Sequence, residues 1–195
     1  MKAYMNKTLA ALAVAALLPA AGSAMAAGTV SGGTVNFSGS VVTSACAVSS
    51  NSASIDVDMG QVRTATLATA GSEASTAKAF AITLEDCEIA DTSASTEDNP
   101  IAATTVSITF SGTPDSNDAE SLAVGENGSS TYAQNVAIRL YDETGNIVKL
   151  GEPTNATVLR AGSNTLNFSA KYYTPTGNAT AGDASAVATY TITYS

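Results

Sequence analysis

Apolar and polar residues alternate with a period of two through most of the chain. Gly33, Val35, Phe37, Gly39 and Val41 share one face of an expected N-terminal strand. Ile55, Val57 and Met59 alternate with Asp56 and Asp58, whose carboxylates are expected to point to solvent. Phe80, Ile82 and Leu84 lead into Cys87, followed by Val106, Ile108 and Phe110, and then by Val136, Ile138 and Leu140. The run Asp142-Glu143-Thr144-Gly145-Asn146 is a turn signal, and Ile147-Val148 begins the return strand. Leu166, Phe168, Ala170 and Tyr172 form another face, and Ala188, Tyr190, Ile192 and Tyr194 form the last. Successive side chains of a strand point to opposite faces, so each run buries one face and wets the other. About eight such strands, separated by Gly, Ser, Asn and Asp clusters, predict an all-β chain folded as a two-sheet, immunoglobulin-like sandwich. No stretch after the first residues keeps a helical period. The polar stretches Asp91 to Pro100 and Asp115 to Ser130 are expected to be surface loops.

The opening of the chain breaks this pattern. Lys2 and Lys7 precede an apolar run from Thr8 to Leu18, which Pro19 and Gly22 end. That run is about half the roughly 20 residues a membrane span needs. Ala24-Met25-Ala26 places small residues where a signal peptidase reads them, so residues 1–26 are expected to be a signal peptide cut after Ala26. The rest of the chain is then expected to be exported.

Composition narrows the chemistry. Hydrophobic residues make up 45% of the 195 and charged residues 13%, enough apolar material to fill one core. Eight basic against 17 acidic residues give a net charge of -9, which repels phosphate backbones and argues against a nucleic-acid partner. With no histidine at all, Ser–His–Asp and Cys–His nucleophiles and imidazole metal sites are excluded. No Gly-rich phosphate loop joins a strand to a helix. Asp56 with Asp58, and Glu85 with Asp86 and Glu88, are the densest carboxylates, and they read as solvated surface charge. No enzyme, cofactor, metal or small-molecule substrate is therefore expected. Two cysteines, Cys46 and Cys87, in an exported chain suggest a disulfide, with two buried free thiols as the other reading. The residues alone thus lead to an exported β-sandwich with a structural or binding role.

Several ordered stretches resemble the major subunits of type 1 fimbriae, pilins of the chaperone–usher family. They are Thr29-Val30-Ser31-Gly32-Gly33-Thr34-Val35-Asn36-Phe37, Ala45-Cys46-Ala47-Val48, Met59-Gly60-Gln61-Val62, and Phe80 through Cys87. Asn135 to Gly145 and Asn164 to Tyr173 also match, as do Gly182 and the penultimate aromatic Tyr194. The region after Cys87 is longer than the family's pattern.

The resemblance implies an incomplete immunoglobulin-like sandwich, residues 39–195, that lacks its final strand. It implies that residues 27–38 are an extension donated to a neighbouring subunit, with Gly33, Val35 and Phe37 facing that neighbour's groove. It implies that Gly182, Ala188, Tyr190, Ile192 and Tyr194 form the strand that a periplasmic chaperone, and later the donor, pairs with. The implied partners are neighbouring pilin subunits, the chaperone and an outer-membrane usher, and the implied destination is a cell-surface fimbrium supporting adhesion. Strand exchange between chaperone and pilin is an established case of β-strand addition. A tip adhesin would need a separate lectin domain, for which the length leaves no room. A minor adaptor subunit and a free secreted sandwich that binds a ligand are the alternatives.

Overall fold

A computed structural model of the chain describes residues 33–89, 104–125 and 131–195. The expected signal peptide 1–26, the first part of the extension and the expected loop Asp91 to Pro100 lie outside the described residues. The chain divides into two units, Met1–Gly39 and Ser40–Ser195. In the first, residues 33–39 belong to no strand, and Val35 and Phe37 are exposed.

Among the described residues, ten strands build the second unit. They are β1 (Ala47–Val48), β2 (Lys78–Cys87), β3 (Thr105–Gly112), β4 (Pro114–Asp115), β5 (Asp118–Ala123), β6 (Ala137–Asp142), β7 (Ile147–Val148), β8 (Thr157–Val158), β9 (Gly162–Tyr173) and β10 (Ala188–Tyr194). One 3-10 turn, Thr64–Leu67, interrupts them. The larger sheet runs β1-β2-β9-β6-β5-β4, with β7 also on β6, and the smaller runs β10-β3-β8. Every pairing between these strands is antiparallel. The all-β sandwich expected from the alternation is the fold observed.

The alternation also sets which faces meet. Phe80 lies opposite Phe168, Ile82 opposite Leu166, and Leu140 opposite Ala170, all on the inner face of the large sheet. Val106, Ile108 and Phe110 of β3 are buried against them. The Phe110 ring meets Phe168 edge-on at 5.0 Å and Phe80 edge-on at 6.1 Å, which joins the two sheets at their centre. The Asp142 turn closes as expected: the Gly145 N–H donates to the Asp142 carbonyl, and Gly145 takes φ +84°, a conformation that favours glycine. Cys46 and Cys87 form a disulfide that ties the start of β1 to the end of its neighbour β2.

Two expectations need correction. The stretch expected as a loop from Asp115 to Ser130 contains the hairpin β4–β5, while residues 126–130 lie outside the described residues. The hairpin is hard to see in the sequence because its outer face is stabilised by charge. Asp118 pairs with Arg139 at 2.6 Å and Glu120 with Lys149 at 2.8 Å, so strand residues look like loop residues. The N-terminal strand expected from Gly33 to Val41 is absent, since residues 33–43 belong to no strand.

On the outer face of the large sheet, Arg139 and Lys171 stand directly opposite each other across β6 and β9. Like charges so placed repel, and Glu73 separates them. Its carboxylate lies 3.2 Å from Lys171 and 3.7 Å from Arg139, and accepts a hydrogen bond from the Tyr141 hydroxyl. The Arg139 guanidinium also donates to Ser121 at 3.2 Å and stacks 3.4 Å above the Tyr173 ring. Burial raises the Glu73 and Asp118 acids, but hydrogen bonds from Tyr141 and Lys171 to Glu73, and from Ser121 and Arg139 to Asp118, outweigh it. Both acids end below the ordinary carboxylate range. Acids depressed in the folded state stabilise it above their unfolded values, and that contribution is lost as pH falls through the folded ones. Arg139→Gln should therefore cost roughly 1–3 kcal/mol at pH 7. The variant and the parent should converge on acidification below about pH 4. Urea melts at pH 7 and pH 3 check this; a difference that persists undiminished at pH 3 contradicts it.

Candidate functional site

The segment from Ser54 to Met59 has the burial pattern of a strand but no strand partner. Ile55, Val57 and Met59 are half-buried, and Asp56 and Asp58 are exposed as expected. No described residue forms a backbone ladder with it. β10 is in a related position. Among the described residues its one strand partner is β3, in register from Ala188 opposite Gly112 to Tyr194 opposite Val106. Ser195 and Thr105 exchange both backbone bonds, at 2.8 and 3.0 Å. Hydrogen-bonded and non-hydrogen-bonded pairs alternate along an antiparallel ladder. Thr189, Thr191 and Thr193 therefore bond to β3 as Ser195 does. Ala188, Tyr190, Ile192 and Tyr194 present their N–H and C=O groups to the open edge.

Between these two walls lies a groove of about 1620 Å³. Its floor is apolar: Phe80, Phe110, Leu122, Val136, Ile138 and Leu140, with Ala170 and Tyr172. Ile55, Val57 and Met59 face it from one wall, and Tyr190, Ile192 and Tyr194, all half-buried, from the other. Ala188 is exposed at its rim. The groove thus combines three features: an apolar trough, a free strand edge, and side chains and free backbone groups on the same four residues of that edge. A single extended strand would satisfy all three at once, placing alternate side chains in the trough and its backbone against β10.

Gly182 lines the groove ahead of β10, not within it. The backbone that crowds it belongs to its own chain. A side-chain carbon at position 182 would sit 2.4 Å from the Ala133 nitrogen and 2.5 Å from the Tyr132 carbonyl carbon. Asp183 then binds the same segment on both sides, accepting from the Ala133 N–H and donating to the Thr131 carbonyl. Glycine is needed there so that the segment leading into β10 can lie against residues 131–133 and close one end of the trough.

The structure brings Tyr190, Ile192 and Tyr194 to one wall and places Ala188 and Gly182 at its approach. Val62, Leu122 and Val136 also line the groove, and the alternation marked them only as core or did not mark them. Val35 and Phe37 carry large apolar side chains that are 74% and 93% exposed, far more than one expects of a strand's inner face. Among the described residues, no group of three or more His, Cys, Asp or Glu could hold a metal ion.

Comparison with known proteins agrees with this geometry. The profile of the fimbrial protein family matches residues 35–195. The chain is 41% identical to a type-1 fimbrial protein, A chain, of Escherichia coli, over 96% of this chain and 98% of that protein. It is 40% identical to a fimbrial subunit type 1 of Klebsiella pneumoniae, again over 96% and 98%. Among solved structures it resembles one of a chaperone–usher pilus concerned with rod uncoiling, with a TM-score of 0.67 and 28% identity over 85% of this chain and 96% of that one. It also resembles the P pilus rod subunit PapA, with a TM-score of 0.61 and 25% identity over 78% and 100%. With its incomplete sandwich, open groove and matches along nearly its whole length, the chain belongs to the fimbrial protein family, as a non-enzymatic structural subunit.

Proposed function

We propose that this subunit builds the shaft of a chaperone–usher fimbria, and that its groove receives residues 27–38 of a neighbouring copy. The observation that carries the reading is the groove itself, where an apolar trough and a long unpaired strand edge coincide. The other sheet edges among the described residues are short: β1, β4, β7 and β8 have two residues each, and β4 carries Pro114. Such edges discourage pairing, whereas β10 offers seven residues. Gly33, Val35 and Phe37 fit the trough by parity, and two of them are large apolar groups exposed to water. Each copy offers one donor and one acceptor, so the contact is head-to-tail and repeats into an open filament. Before assembly a periplasmic chaperone lends a strand to the same edge, and an outer-membrane usher hosts the exchange that delivers the filament to the cell surface.

Electron microscopy of cells with and without the gene tests the role directly, since shaft filaments should vanish with the gene. Tyr194→Ala tests the edge. Truncating this half-buried side chain should cost roughly 2 kcal/mol of packing with any strand laid over it. It should also reduce the yield of the periplasmic chaperone complex several-fold in a pull-down. An undiminished complex would remove Tyr194 from the docking strand.

A further inference from the structure

Tyrosine hydroxyls tie β10 to the chain that leads into the opposite wall of the groove. The Tyr190 hydroxyl donates to the Ser52 carbonyl at 2.6 Å, and the Tyr194 hydroxyl reaches the Cys46 carbonyl at 3.4 Å. The first is a short, well-formed bond and the second is at the limit of one. Ser52 is itself fixed. It is buried, and its side-chain oxygen accepts the Thr83 N–H of β2 at 2.8 Å, while the Ser49 N–H donates to the Thr83 carbonyl at 3.0 Å. A continuous chain of bonds therefore runs from the free edge strand, across the end of the trough, to the large sheet. The Tyr190 ring makes a separate contact, 6.3 Å from Phe110, so its packing and its hydroxyl can be tested apart. Burial raises the Tyr190 hydroxyl above the ordinary phenol range, which keeps it a neutral donor. Among the described residues no hydrogen bond joins residues 54–62 to residues 179–187, so the ties lie at the end of the groove nearest the disulfide.

We propose that Tyr190 is a positioning residue that, through Ser52, holds the groove walls at the spacing a strand requires before the strand arrives. The role rests on the acceptor-groove reading above. Walls already at the right separation need not be ordered during insertion, and preorganisation of this kind favours binding without adding a contact to the ligand.

The test uses the subunit purified as its periplasmic chaperone complex and a synthetic peptide of residues 27–38. Tyr190→Phe keeps the ring and removes only the hydroxyl. Peptide insertion should slow by roughly 2- to 10-fold, the factor that one ordinary hydrogen bond represents. Ser52→Ala removes the anchor to Thr83 and should slow insertion similarly. The double variant should be no slower than the slower single one, because both act through one connection. A hydroxyl that merely stabilised the fold would lower the melting temperature of the peptide-filled subunit and leave the insertion rate unchanged, and that result overturns the proposal. So do additive effects of the two substitutions. If the parent subunit accepts no peptide at all, the acceptor-groove reading itself fails and takes this role with it, an outcome distinct from equal rates in parent and variant.

Discussion

Cells producing the Phe37→Asp variant should retain a soluble, chaperone-bound subunit and assemble no filament from it. Phe37 belongs to the extension proposed to leave its own subunit, so its loss should not weaken the sandwich that carries it. That expectation has a physical basis in the side chain's 93% exposure. Inserted in a neighbour's trough, the same ring would be stripped of water against residues such as Phe110 and Leu122. Burying it is worth roughly 1.5–3 kcal/mol, and Val35 somewhat less. An aspartate in the same place would have to bury a charge without a partner, at a cost of several kcal/mol. The donor strand would then be lost from the register that Gly33, Val35 and Phe37 define. Negative-stain microscopy scores the filaments, and a chaperone pull-down scores the subunit. Normal filaments would reject this donor face. A variant that no longer accumulates with the chaperone would instead make residues 33–39 an ordinary part of the subunit's own fold.

Loss of the disulfide should have the largest effect on the subunit itself. Cys46 and Cys87 are separated by 41 residues, and closing a loop of that length stabilises the folded state by about 4 kcal/mol in the chain-entropy account. That is a large share of the roughly 5–15 kcal/mol by which a domain is stable. This sandwich has an open edge in addition. Cys46→Ser combined with Cys87→Ser should therefore lower periplasmic accumulation to a small fraction of the parent. Any protein recovered should melt in urea at a markedly lower midpoint. The double replacement avoids a lone reactive thiol, so aggregation through mixed disulfides does not confuse the result. An unchanged midpoint would mean that β1 is held to β2 by its two-residue ladder and side-chain packing alone.

These effects differ in how far they could be foreseen from residues. The period-two runs at Phe80–Leu84, Val106–Phe110 and Leu166–Tyr172 were legible because each buries one face against an opposite sheet, and burial is what creates the alternation. Ile55–Met59 was legible for the same reason, although it forms no ladder: its side chains have a core to face, but its backbone has no neighbour. The hairpin β4–β5 was not legible, because its outward positions are charged residues that pair with Arg139 and Lys149 on other strands. Nothing within the stretch itself announces those partners.

Local pattern determined the all-β class, the inner face of each long strand, and the even parity that puts Tyr190, Ile192 and Tyr194 on one side. Such properties depend only on the geometry of a strand and the apolar or polar character of neighbouring residues. Tertiary structure alone decided that Gly182 lies against Tyr132 and Ala133, that Glu73 separates Arg139 from Lys171, and that Tyr190 reaches Ser52. Each of these joins residues far apart in the chain. It also decided that Ile55–Met59 and β10 stand on either side of an unfilled trough. A missing strand leaves no mark on the residues around it, which must be apolar whether their covering comes from the same chain or from another.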